Sequence, residues 1–206
     1  MNSQTNLFAG IAAAILAILF PLYWSTIFGS VYSDFDVTFK QDLISLDAKD
    51  AKDALFVLIG VLEAGIYLYL SKCLDEYLNT TTARYLLNIM AGLVVLFHLT
   101  VLVDIYLAMP GVNIHTETIN SMISMTLVVT LISLALFAII GIVFSIIVLI
   151  NQALPAMIKT FVLLLLIICI LQITVVLAFM NIFLFPAAMI VVSVYFVKEK
   201  QEIEVV

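Results

Sequence analysis

From Thr160 to Val197 the chain runs for 38 residues without one formally charged side chain. At about 1.5 Å per residue, a single helix of that length would reach roughly 57 Å, well beyond a bilayer hydrocarbon core of about 30 Å. The stretch must therefore cross lipid twice and break in between. Asn181 and Pro186 supply the punctuation, because proline is accepted in the first turn of a new helix and disfavoured inside one. The spacing predicts spans over Met157–Met180 and Ile182–Val197.

The rest of the chain has the same character. Of its 206 residues 65% are hydrophobic and 11% charged, and the mean hydropathy is +1.27. A soluble domain is about 45–50% apolar and about 25% charged. Too few charges exist to clothe a water-facing surface, which excludes a soluble enzyme, a nucleic-acid binder and a disordered chain. A span needs about 20 apolar residues, and four further candidates meet that need: Leu7–Phe28, Ala54–Ser71, Tyr85–Met109 and Met122–Ile150. The first is 22 residues long and follows an uncharged Met1–Asn6 segment. A cleavable signal would show a basic start and an apolar run of roughly 7–15 residues, so an uncleaved span is expected.

The sequence thus reads as an all-α, polytopic membrane helix bundle. It has six transmembrane helices in a single integral membrane domain over residues 1–206. Orientation follows from basic residues near the span ends. With both termini cytoplasmic, Lys72, Arg84, Lys159, Lys198 and Lys200 lie inside, and Lys40, Lys49 and Lys52 outside. Five spans with an outer N-terminus would give the same ratio; the uncharged stretch favours six. Tyr23, Trp24 and Tyr106 then fall near one interface and Tyr77, Tyr85 and Tyr195 near the other. The default location is a cell membrane, the bacterial inner membrane, with Asn79-Thr80-Thr81 on the cytoplasmic side and unglycosylated.

The outer loop 29–53 carries six Asp against three Lys. Ser45 or Asp47 can cap a helix that starts in water ahead of span two, while Asp34–Phe39 alternates as an interfacial strand would. Asp34 and Asp36 have the spacing of a calcium loop's first and third ligands. Phe39 and Ser45 stand where that loop needs Gly and Glu, so an acidic solvated loop is expected instead. Cys73 and Cys169 frame no disulfide scaffold.

Three ionisable residues fall within the spans: Glu63, His98 and Asp104. Each costs about 2.5–3.5 kcal/mol at the bilayer centre on insertion scales, so such groups face a bundle interior. Counted from the outer ends of their spans, Glu63 lies nine residues deep and His98 eleven, a depth difference of about 3 Å. Spans two and three are joined by a short segment and pack as a hairpin, which makes a Glu63–His98 contact geometrically cheap. Gly60, Glu63, Ala64 and Tyr67 share one helix face, and Asn88, Ala91 and His98 share another; small residues there permit close approach. Gln172, with Thr174 beyond it, lies near the middle of span five and can complete a midplane polar cluster. Asp104 lies about 120° around the helix from His98 and nearer its span end, a possible secondary polar site facing interfacial water.

Glu63 and Gln172 each fall centrally in the second span of their half of the chain, an outline like that of an inverted repeat. No residue pattern matches between the halves. Small residues at Ala9, Ala13 and Ala17, and at Ala138, Gly141 and Ser145, mark close helix contacts, either within the bundle or between copies.

No nucleophile sits beside a base, no Gly-x-Ser-x-Gly or phosphate loop occurs, and the other histidine, His115, lies in the loop Pro110–Ser121. No enzymatic activity, cofactor or metal is expected. The expected partner is the lipid bilayer, together with a homo-oligomer or a membrane-protein partner, and no nucleic acid. The function expected first is a non-enzymatic membrane component acting through helix–helix contacts. The alternative is a proton- or ion-coupled small transporter or channel. It would use the Glu63–His98 pair, an acid and an imidazole whose protonation is tuned by burial and mutual charge.

Overall fold

A computed structural model describes residues 3–33, 51–78, 81–107, 109, 115–151, 154–174 and 176–204. Every regular element among them is helical: α1 (Ser3–Ser33), α2 (Ala51–Leu78), α3 (Thr81–His98), α4 (Val101–Leu107), α5 (Thr116–Ile150), α6 (Ala156–Ile173), a 3₁₀ turn (Ala178–Met180) and α7 (Asn181–Glu204). Six stretches are long and apolar enough to cross a membrane: Thr5–Thr26, Lys52–Asp75, Thr81–Leu107, Thr116–Ile150, Ala156–Ile173 and Ala178–Lys198. The chain therefore has the fold of a polytopic membrane helical bundle.

The helices close into a ring. α1 packs on α2, α2 on α3, α3 on α5, α5 on α6, α6 on α7, and α7 returns to α1 in the most extensive of these contacts. Sequence neighbours being spatial neighbours is the expected result of short connections. In lipid the outward faces need no covering. Ile11, Ile15, Ile18 and Leu22 on α1 are exposed, and Ile139, Val143 and Ile146 on α5 likewise. Inward stripes instead form one core, in which Leu16, Tyr67, Leu87, Phe144, Phe161 and Phe196 are fully buried.

Small residues set the closest approaches. A Cβ built on Gly10 would meet Val197 Cγ2 at 3.0 Å and the Ser193 carbonyl at 3.2 Å, so α1 and α7 touch there through glycine. Gly141 plays the same part between α5 and α6, where a Cβ would come within 2.5 Å of Cys169 Sγ. Ala13 and Ala17, and Ala138 and Ser145, are buried beside these glycines. Both small-residue faces seen in the sequence are thus occupied within one chain.

Two boundaries differ from the sequence expectation. Span three is not one helix: it is interrupted at Leu99–Thr100. There the Thr100 hydroxyl donates to the Phe97 carbonyl at 2.6 Å, and Thr100, Leu102 and Val103 donate to carbonyls three residues back. A β-branched residue whose side chain bonds its own backbone tightens the turn in this way. Spans five and six separate at 174–177, not at Asn181. Thr174 Oγ1 donates to the Leu171 carbonyl at 2.7 Å at the end of α6. Pro186 then lies inside α7, and Pro21 inside α1. Membrane helices tolerate both because packed neighbours and local adjustments satisfy the freed backbone groups.

α1 extends through Ser33 and α2 begins at Ala51, so both ends of the expected 29–53 loop are helical. The expected alternating segment at 34–39 and the expected caps at Ser45 and Asp47 lie outside the described residues, as do Asn79 and Thr80 of the acceptor sequence. Between α2 and α3, Arg84 forms an exposed ion pair with Asp75 at 3.0 Å. At the same end of the bundle the Tyr69 hydroxyl donates to Asn6 Oδ1, tying α2 to the start of α1.

Candidate functional site

One end of the ring is not filled. A cavity of about 600 Å³ is lined by residues late in α1, early in α2, late in α3, midway along α5, at the end of α6 and at the start of α7. These positions all lie in the half of the bundle that holds the end of α1 and the start of α2. Pockets for small molecules span about 300–1,000 Å³ and are mostly apolar with a few placed polar groups. This one is of that kind. Its polar wall residues are Glu63, His98, Ser133, Gln172 and Asn181, with Tyr23 and Trp24 toward the end of α1.

Glu63 forms the floor. It is 8% exposed, and the alternation of α2 puts Gly60, Ala64 and Tyr67 on the same buried face. Beneath it, away from the cavity, Tyr67 and Cys169 are both within electrostatic reach of the carboxyl. The Tyr67 hydroxyl lies close to Glu63 but not in an aligned hydrogen bond, and it has no other protein partner.

His98 closes one side. Its Nδ1 donates to the Val94 carbonyl at 2.8 Å. A carbonyl can only accept, so Nδ1 carries the proton and Nε2 is the nitrogen free to accept or to gain a second proton. The ring lies tilted over Phe56 with centroids 4.3 Å apart and meets Phe97 edge-on at 4.9 Å. It also lies directly against Gly60, where a Cβ would fall 2.3 Å from His98 Cγ. The residue at position 60 is glycine because the imidazole fills the space of a side chain.

Gln172 and Asn181 close the opposite side as a unit. Asn181 Nδ2 donates to Gln172 Oε1 at 3.0 Å and to the Ile168 carbonyl at 3.2 Å, which bridges the end of α6 to the first residue of α7. The Asn181 Oδ1 and the Ser133 hydroxyl are buried and have no partner within the protein.

The structure therefore places Glu63, His98 and Gln172 around one cavity. No hydrogen bond or ion pair joins Glu63 to His98 among the described residues: the imidazole is held by Val94 of its own helix, and Glu63 faces Tyr67 and Cys169. Asp104, half-buried on α4, is not part of the cavity wall and lies within electrostatic reach of Asp53 and Tyr23. Sequence reasoning missed Cys169, Ser133, Asn181 as a wall residue, and the aromatic lining. The lining was legible in part, since Tyr23, Trp24 and Phe56 fall near one end of their spans.

Among the described residues no three His, Cys, Asp or Glu side chains converge as a metal site would require. Compared with known proteins, the chain matches no family model, no curated protein and no solved structure.

Proposed function

We propose that this chain is a non-enzymatic, multi-pass protein of the cell membrane that binds a small solute in the Glu63 cavity and couples its movement to a proton or ion. The observation that carries this reading is that the costliest side chain in the spans forms the floor of a solute-sized cavity inside the ring. An ionisable group within a span is by default a functional candidate. Interhelical hydrogen bonding averages only about 0.6 kcal/mol in membranes, too little to offset the insertion of a carboxyl as mere glue. His98 supplies a second group that titrates near neutral pH in water. Glu63 accepts or releases a proton as solute leaves or enters; Gln172 and Asn181 orient the solute from across the cavity. Both termini face the cytoplasm, with the cavity in the outer half of the bilayer, in a bacterial inner membrane.

A purely structural component acting through helix contacts is less well supported. The small-residue faces that would serve a homo-oligomer or a membrane-protein partner are already buried within the chain.

The test is a proteoliposome carrying a trapped pH-sensitive dye and an imposed pH gradient. Wild type should admit protons faster than empty liposomes, and Glu63→Gln should return the rate to that of empty liposomes. A wild type indistinguishable from empty liposomes, or a fully active Glu63→Gln, refutes the coupling.

A further inference from the structure

The cavity walls say more than that a solute enters. Aromatic side chains converge on it from five helices: Phe20 and Trp24 from α1, Phe56 from α2, Phe97 from α3, Phe137 from α5 and Phe185 from α7. Several pack against one another at tilted angles. Phe20 and Phe185 have ring centroids 4.3 Å apart, and Phe20 and Trp24 6.1 Å. Aromatic faces carry negative quadrupole and attract cations within about 6 Å. Among the described residues the cavity wall carries no lysine or arginine, and Glu63 is its one carboxyl.

Each alternative ligand class meets an obstacle. An anion would approach Glu63 with no cation to receive it. A sugar or other polyol would find few hydrogen-bond partners on walls that are mostly hydrocarbon. A bare metal ion would find a single carboxylate. Val176 and Phe183 line the cavity as well and are 79% and 72% exposed, so an apolar rim borders it at the α6–α7 connection.

We propose that the cavity binds a lipophilic organic cation, its charge held by Glu63 and its apolar groups by the aromatic walls. The ligand class rests on the carrier reading above but is tested separately. Besides Glu63, the titratable and charged groups that a cation meets are His98 on α3 and Tyr23 on α1 in the wall, Tyr67 on α2 and Cys169 on α6 beneath the floor, and Asp53 and Asp104 beyond Tyr23. None from α5 or α7 lines the cavity.

Trp24 is the only tryptophan in the chain and stands in the wall, so its fluorescence reports occupancy directly. Tetraphenylphosphonium is titrated into the detergent-purified full chain, with tetraphenylborate as the anion of the same shape. Saturable Trp24 quenching by the cation alone is expected. Glu63→Gln should weaken it at least about tenfold, and Glu63→Asp should restore most of it. Phe56→Leu keeps the apolar volume and removes one ring; it should weaken binding by about five- to thirty-fold. Equal quenching by the borate, or unchanged affinity in a monodisperse Glu63→Gln, overturns the proposal. If Glu63→Gln does not fold, unchanged affinity in Phe56→Leu overturns it instead. Cation binding without a Glu63-dependent proton flux would keep the ligand class and refute the carrier; proton flux without cation binding would do the reverse.

Discussion

Gly60→Ala is the sharpest probe of the geometry around the cavity. The added methyl would lie 2.3 Å from His98 Cγ, 2.7 Å from Cδ2 and 2.8 Å from Cβ. That is about 1 Å inside the separation at which carbon atoms attract. Turning the imidazole about Cβ–Cγ cannot relieve it, because Cβ itself is too close. Either α2 and α3 separate, or His98 changes rotamer and gives up its bond to the Val94 carbonyl and its ring contact with Phe56. Overpacking of this kind costs about 1–3 kcal/mol. Alanine in place of glycine in a helix returns about 0.5–1 kcal/mol. The net expectation is a loss of about 1–2 kcal/mol. Gly65 stands on the same helix with nothing within 4 Å of its would-be Cβ. Gly65→Ala should therefore gain about 0.5–1 kcal/mol by the helix effect alone. Thermal or SDS unfolding in detergent micelles measures both, and a cycle with His98→Ala isolates the clash, since Gly60→Ala should be harmless in that background. Equal effects of Gly60→Ala and Gly65→Ala, or a clash that survives removal of His98, would refute the packing of the imidazole on Gly60.

Gly141→Ala should destabilise by about 1–3 kcal/mol in the same unfolding assay, and Cys169→Ala should rescue it, because the methyl would come 2.5 Å from Cys169 Sγ. Cys73 and Cys169 are both buried, so a maleimide should label neither in the folded protein and both in SDS. Against that silent background, single cysteines at Asn79 and Gln201 should react only from the cytoplasmic side and those at Ser45 and Asn120 only from outside, if the six-span threading holds. Arg84→Ala should change stability by less than about 1 kcal/mol, as expected of an ion pair in which Arg84 is 49% and Asp75 32% exposed.

Which of these features the sequence displays follows from the physics behind each. Span number is legible because the bilayer imposes a length, and the uncharged run from Thr160 to Val197 favours six over five. The inward face of α2 is legible because Gly60, Glu63, Ala64 and Tyr67 repeat at helical spacing and lipid penalises the carboxyl on any other face. The interruption at Leu99–Thr100 is not legible. It depends on a single hydroxyl bonding its own backbone, and threonine does this in unbroken helices too. The end of α6 was misplaced for a related reason: proline and asparagine are stronger textual signals than Thr174, yet Pro186 is accommodated inside α7. The partner of Glu63 escaped because matched depth does not fix azimuth. The side chain of His98 is claimed by Val94 and by the space over Gly60, while Cys169, an unremarkable apolar-tolerant residue in the sequence, is brought beside Glu63 by ring closure.

Three of the polar wall residues flank the interruptions. His98 is the last residue of α3, directly before the interruption at Leu99–Thr100. Gln172 lies in the last turn of α6, directly before the gap at 174–177, and Asn181 is the first residue of α7 beyond it. Backbone that leaves the helix at membrane depth is tolerated only where it is buried in protein or lines a cavity. The interruption at Leu99–Thr100, inside span three, therefore needs an interior to face, and the open half of the ring provides one; the other lies between two spans. Asn181 shows the coupling directly, since one amide group serves both the Ile168 carbonyl and Gln172. Broken helices also shift more easily than continuous ones, which is why discontinuous spans hold the binding sites of many carriers. Glu63 and Ser133 differ from these three: they sit in the middle of unbroken α2 and α5 and repair no backbone. Local structure accounts for His98, Gln172 and Asn181; of the two residues it leaves over, only Glu63 carries the insertion cost of a carboxyl within a span, which is why the proposed function rests on it.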